Sequence, residues 1–178
     1  MNTIGNNAPD FEIPGIDQEV YHLGSYRQKF KAIAVVFMDN NSPEVQQYTD
    51  RLKQIQADFG GQDFTIMGIN SSHDAEGISN TMEQMKQYAQ EKKLNFPYLR
   101  DTTQDVAKSF KVLVMPTVYL LDSDAVIRYQ GSIDDCAESA DQVNNNYLRD
   151  SVAAIVANQN IPQNYAEPCG TSIKWRRS

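Results

Sequence analysis

"KAIAVVFMDNNSPEVQQYTDRLKQIQADFGG" spans residues 31–61. It opens on a continuous apolar, β-branched run at 31–38, the mark of a strand covered on both faces. An Asn-rich turn follows. Ser42 suits the position that caps a helix, and Pro43 suits its first turn, where the missing N–H would be unpaired anyway. Glu44 favours the positive end of the helix dipole. Val45, Tyr48, Leu52, Ile55 and Phe59 then step by three and four, which gives one apolar face. Gly60 and Gly61 stop the helix. The unit reads as buried strand, polar corner, amphipathic helix.

Outward from this unit the pattern repeats. Residues 1–31, which carry "APDFEIPG" at 8–15, are punctuated by Pro9, Pro14 and Gly15 and predict extended structure and turns. "DFTIMGIN" (63–70) is a second buried strand, and "SNTMEQMKQYAQEKKL" (79–94) a helix with Met82, Met85 and Ala89 inward. "FPYLRD" is short and extended, and "QDVAKSF" is a short helix. "VLVMPTVYLLD" (112–122) is a long apolar strand interrupted by Pro116, and "DSDAVIRYQGSI" returns as its hairpin partner. The last helix is expected in "DQVNNNYLRDSVAAIVANQ" (141–159), with Val143, Tyr147, Val152, Ile155 and Val156 apolar. Alternating strands and helices that finish in an antiparallel pair predict an α/β sandwich, a mixed central sheet flanked by helices. One domain at 1–160 with a C-terminal tail at 161–178 is the expected organisation.

Composition narrows the function. The 178 residues carry a net charge of −7. Nucleic acid is bound through Lys and Arg, so an acidic chain without a basic stripe argues against it as a partner. The one basic cluster, Lys174, Arg176 and Arg177, reads as a solvated terminus. No targeting segment and no apolar run near the bilayer-spanning length is visible, so a cytoplasmic protein is expected. His22 and His73 are the two histidines. "SSHDAEG" gathers His73, Asp74 and Glu76, which reads as turn chemistry rather than a metal site. No metal and no cofactor is expected. Cys136 and Cys169 are far apart and form no Cys-x-x-Cys, so they read as unpaired thiols.

A family resemblance rests on "APDFEIPGIDQEVYHLGSY", "GINSSHDAEG", "NFPYLRDTTQDVAKSF", "VYLLDSDAVIRYQGSIDD", "YLRDSVAAIV" and "SIKW", in that order from about residue 8 to 175. Together with the Pro43 helix and the later Pro116, the set resembles a redoxin of the AhpC/TSA superfamily, on the thioredoxin-like fold. It fits best a bacterial branch of thioredoxin-family proteins. The resemblance implies a corner of the form F-x-C-N-x-C-P-x-V. Here the corner reads "FMDNNSPEV", with Asp39 and Ser42 in the cysteine positions and Asn40, Pro43 and Val45 kept. The resemblance also implies a cysteine just before the later proline, where Val114 stands, and a tail of Gly-Cys-Ser-Ile-Lys-Trp. This tail reads "CGTSIKW", with Thr171 in the cysteine place and Cys169 two positions earlier.

Thiol exchange needs a thiolate that attacks sulfur and a sulfur that leaves. A serine alcohol stays protonated near neutral pH and forms no reversible counterpart of a disulfide. Ser42 as a nucleophile would need a base close by, and its residue type favours a helix cap. The expected function is therefore a noncatalytic redoxin, a pseudoenzyme that binds a protein or peptide partner. Its binding corner is Asp39, Asn40, Asn41, Ser42, Pro43, Met115 and Pro116. The resemblance implies a cis bond before Pro116, with Met115 offering backbone groups to an extended chain. Met115–Pro116 facing the Asp39–Pro43 loop then makes a groove for a peptide strand. The alternative is a thiol-disulfide oxidoreductase or peroxiredoxin-like antioxidant that uses Cys169, with either Cys136 or a partner thiol as the second sulfur.

Overall fold

Strand β3 (Ala32–Phe37) forms at the apolar run, and all of its residues are buried. In the computed structural model, which describes residues 3–73, 76–77 and 79–177, two long strands flank it. β4 (Phe64–Asn70) pairs with it in parallel, and β7 (Thr117–Asp122) antiparallel. β5 (Tyr98–Arg100) continues the sheet in parallel beyond β4, and β8 (Ile127–Gly131) continues it antiparallel beyond β7. β9 (Tyr165–Ala166) lies parallel beside β8, which gives the order β5-β4-β3-β7-β8-β9. Two short antiparallel pairs stand apart from this sheet. One joins β1 (Glu12–Pro14) to β2 (Val20–His22); the other joins β6 (Val114–Met115) to β10 (Thr171–Ser172).

Helices cover the sheet. A single helical turn, α1 (Leu23–Tyr26), precedes β3 within the 1–31 stretch expected to hold only extended structure and turns. α2 (Pro43–Phe59) starts and stops where Ser42, Pro43 and Gly60 predict, and it buries Val45, Tyr48, Thr49, Leu52 and Ile55. It packs against β4 and against α5 (Tyr147–Val156), which in turn covers β3 and β7. α4 (Asp105–Phe110) places Phe110 with its ring centroid 5.3 Å from Phe37 and 5.0 Å from Tyr119. The observed architecture is the expected mixed α/β sandwich.

Three expectations change. α3 (Met82–Lys92) starts after Thr81, whose hydroxyl caps the Gln84 N–H, and it buries Met85 and Tyr88; Met82 and Ala89 are only half-buried. The last helix begins at Tyr147 rather than near 141, because Asp135 accepts from the Asn144 N–H and the Asn145 side chain at 2.9 Å each and pins "NNN" as a loop. Local side-chain bonds of this kind compete directly with helix formation. Finally, 112–122 is interrupted at Pro116 as expected, but its two parts join different sheets, and only Thr117–Asp122 joins the main one.

Of the expected tail at 161–178, the described residues 161–177 return to the body of the protein. Ala166 and Ile173 are buried, and the tail supplies β9 and β10. Among the described residues no helix is long and apolar enough to cross a membrane.

Candidate functional site

The corner sits where β3 ends and α2 begins. Met38 is the last wholly apolar residue; Asp39, Asn40 and Ser42 follow, each under 8% exposed, while Asn41 and Pro43 are exposed. A helix start leaves backbone N–H groups without intrahelical partners, and a preceding side chain commonly takes them. Here the carboxyl group of Asp39 does so for the residues just ahead of the helix. Its Oδ1 accepts the Ser42 N–H at 2.7 Å and the Asn41 N–H at 3.1 Å. Its Oδ2 accepts the Ser72 hydroxyl at 3.3 Å. Ser72 is also within 3.6 Å of the Met115 sulfur, so Asp39 and Met115 share one buried neighbour.

Asn40 is held from every side. Its N–H donates to Asn80 Oδ1, its amide nitrogen to the Ser79 carbonyl, and its amide oxygen accepts the Tyr98 hydroxyl at 2.7 Å. Gln46 reaches back to its carbonyl at 3.1 Å. Burial raises the Tyr98 phenol well above its ordinary pKa, so it stays a neutral donor. The sequence reading missed this support: Ser72, Asn80 and Tyr98 come from three separate segments, and only the fold brings them together.

Ser42 occupies the cap position with extended backbone (φ −61°, ψ 126°), but its side chain makes no capping bond. Its Oγ is buried without a hydrogen-bond partner among the described residues. This corrects the expectation that Ser42 caps the helix. Asp39, three residues earlier, supplies the local acceptor instead. Nor does a base bond that hydroxyl: the ring of His22, just before α1, is engaged by Asp10 at 2.7 Å and Ser25 at 3.1 Å. Of the His73–Asp74–Glu76 group, Asp74 lies outside the described residues, and no three metal-ligating side chains cluster among the described ones.

Replacing Asp39 by alanine strands three donors, two of them buried. The expected loss is about 2 kcal/mol, since a capping acceptor and an unmet buried donor are each worth about 1 kcal/mol. Urea unfolding of Asp39→Ala beside Asp39→Asn measures it. The asparagine keeps an acceptor oxygen and should recover at least half of the loss; equal stability of Asp39→Ala and the parent would contradict this role.

The peptide bond Met115–Pro116 is cis, and both residues are buried. The groove expected between this bond and the Asp39–Pro43 loop is not open. β10 fills it: Thr171 pairs with Met115 and Ser172 with Val114 in antiparallel register. The Ile173 N–H donates to the Leu113 carbonyl at 3.0 Å, and the Thr171 hydroxyl donates to Glu44 Oε2 at 2.7 Å. The backbone that was expected to meet a foreign strand therefore meets the chain's own tail.

The cysteines are both free thiols. Cys136 is half-buried, with its sulfur 3.6 Å from Glu138 Oε2. Its backbone belongs to a buried network: its N–H donates to Asp134 Oδ1 at 2.9 Å, and its carbonyl accepts Arg51 at 2.7 Å. Cys169 is exposed and lines an open cleft of about 700 Å³ with Pro43, Glu44, Tyr48, Asp134 and Tyr165. It stands beside the start of α2 without entering the Asp39–Ser42 corner. Asp135 and Ala137, the neighbours of Cys136, line the same cleft.

Known proteins place these features. An uncharacterized conserved protein from Geobacillus kaustophilus is 30% identical, with 100% of this chain and 95% of that chain covered and a TM-score of 0.91. A hypothetical protein from Sinorhizobium meliloti is 27% identical over 100% of this chain and 97% of its own, also with a TM-score of 0.91. The peroxidoxin BcpB from Mycobacterium tuberculosis, at 17% identity, covers 88% of this chain and 96% of its own with a TM-score of 0.62, and so shares the fold. No curated protein matches. The description "AhpC/TSA family" matches residues 4–130, which takes in the strand, the corner, α2, the cis-proline and the hairpin. This chain belongs to the AhpC/TSA family, and its fold is thioredoxin-like.

Proposed function

We propose that this protein is a noncatalytic cytoplasmic redoxin, a pseudoenzyme that uses the thioredoxin-like scaffold to bind a protein partner through an extended segment. The single observation that carries the reading is the chemistry of the corner at the start of α2. It holds no thiol; the Asp39 carboxyl group takes the local N–H donors, and no base bonds the Ser42 hydroxyl among the described residues. Dithiol exchange and peroxide reduction both require a thiolate at the attacking atom. The edge of β6 supports the binding half of the reading, because it is shaped to carry an antiparallel strand and does carry one. In β-strand addition, backbone hydrogen bonds supply affinity and alternate side chains supply specificity.

One observation favours a second reading. Cys169 is exposed in the cleft beside Pro43 and Glu44, and the loop of Cys136 borders the same cleft. In that reading the Cys169 thiolate attacks a peroxide oxygen, which leaves a sulfenic acid and releases an alcohol or water. The Cys136 thiol then condenses with the sulfenic acid, forming a disulfide and water, and an external thiol reduces the disulfide.

The test is direct. The purified protein is expected to consume hydrogen peroxide no faster than a Cys136→Ser/Cys169→Ser double variant, and to leave insulin disulfides intact. Mass spectrometry after peroxide treatment should show no reversible 136–169 disulfide. Turnover that the Cys169→Ser variant abolishes would replace the first reading with the second.

A further inference from the structure

We infer that residues 170–174 form a latch, a built-in competitor that occupies the β6 edge and must leave before a partner strand can dock. This rests on the partner-binding reading above and adds the regulation of that site. Three observations carry it.

First, the segment binds as a ligand would. It lies antiparallel on Val114–Met115, outside the main sheet, and extends the pairing through the Ile173 N–H to Leu113. Beyond it the Lys174 carbonyl accepts the His73 N–H and the Gln104 side chain, each at 2.8 Å. Second, the fit is specific. A Cβ on Gly170 would lie far inside contact distance of the Met115 carbonyl oxygen, so only glycine lets the chain lie that close. Thr171 then reaches Glu44, and Ile173 is buried at 4% exposure. The groove thus selects glycine, a hydroxyl, any residue, then an aliphatic side chain. Third, the hold is light. Ile173 is the one buried side chain from residue 167 to 177, and Trp175 stays 39% exposed. Segments with few buried apolar contacts sit at the low-stability end of a native structure and open without global unfolding.

A tethered strand competes at an effective concentration on the order of millimolar, and a site open only part of the time shows its intrinsic affinity reduced by that fraction. Any partner segment of the same glycine–hydroxyl–x–aliphatic pattern therefore sees a handicapped site until the latch is released.

The probe is a fluorescent peptide of residues 167–177 carrying Cys169→Ser. Its binding is followed by anisotropy against the full-length protein and against full-length Gly170→Val, in which the latch cannot seat. The expected result is binding to Gly170→Val at least tenfold tighter than to the parent. Ile173→Asp, which removes the apolar anchor, should give the same ordering and serves if Gly170→Val does not fold. Equal affinity for parent and variants overturns the latch, as does absence of binding to a variant that melts cooperatively. Either outcome leaves the partner-binding reading to its own test, whereas peroxide turnover would overturn that reading whatever the peptide does.

Discussion

Gly131→Ala should be among the most damaging single-methyl additions in this protein, with an expected loss of about 4 kcal/mol. Gly131 ends β8 with φ at +134°, a conformation that L side chains rarely adopt. That alone costs about 1–3 kcal/mol for any other residue. The new Cβ would also overlap the Ala166 carbonyl oxygen. That oxygen accepts the Ser132 N–H at 3.2 Å, and the Ser132 hydroxyl donates to the Glu167 carbonyl at 2.8 Å. Relief of the clash pushes β9 off the sheet and uncovers Ala166. For a chain of this size, 1 kcal/mol moves the melting temperature by about 2–4 °C, so a fall of roughly 10 °C is expected. Scanning calorimetry reads it, and hydrogen exchange at the Gln130 and Ser132 amides shows whether β9 has lifted. A fall of less than about 2 °C with both amides still protected would mean that the crossing adapts cheaply, and the argument would fail.

Asp134→Ala is expected to cost about 3–5 kcal/mol, the range for breaking one side of a buried ion pair. The Asp134 side chain is 3% exposed and meets Arg51 at 2.8 Å, with the Arg51 side chain 17% exposed. Its other oxygen accepts the Tyr48 hydroxyl at 2.8 Å. Burial first, and then the neighbouring Asp134, push the Tyr48 phenol above its ordinary pKa, which keeps that donor intact. Arg51 also donates to the carbonyls of Cys136 and Ala137 and lies 4.6 Å from the Tyr48 ring centroid. The network ties α2 to the loop after β8. Deletion of the carboxylate leaves a desolvated guanidinium and a stranded hydroxyl. The double variant Asp134→Leu/Arg51→Met should recover more than half of the loss, because an apolar pair carries no unmet charge. Denaturant unfolding of the two variants decides it. A double variant less stable than Asp134→Ala would show that Arg51 contributes mainly through its contacts with Tyr48, Cys136 and Ala137.

How legible each part was depended on the range of the interaction that fixes it. The start and stop of α2 are local, set by Pro43 and Gly60 within a residue or two, and they appear as the sequence predicts. β3 and β4 were legible because strands buried on both faces read as nearly continuous apolar runs. The late start of α5 was not, since the Asp135 side chain that holds Asn144 and Asn145 acts across nine and ten residues. The tail strands were hidden more deeply. β9 and β10 are two residues each, too short to carry any alternation, and their partners lie 35 and 56 residues upstream (Tyr165 with Gln130, Thr171 with Met115). At the corner, the missing sulfur was plain to read. The hydrogen bonds were not: Ser42 looked like the cap, yet Asp39 accepts the backbone donors.

The main sheet tapers to three residues at β5 and two at β9, and Gly15 is bridged to Leu99 at the first of these margins. A long bare margin of strand offers a row of free N–H and C=O groups on which neighbouring molecules can zip together. Here each margin presents too few rungs for such growth, so the fold carries its own protection against fibrillar stacking at high concentration.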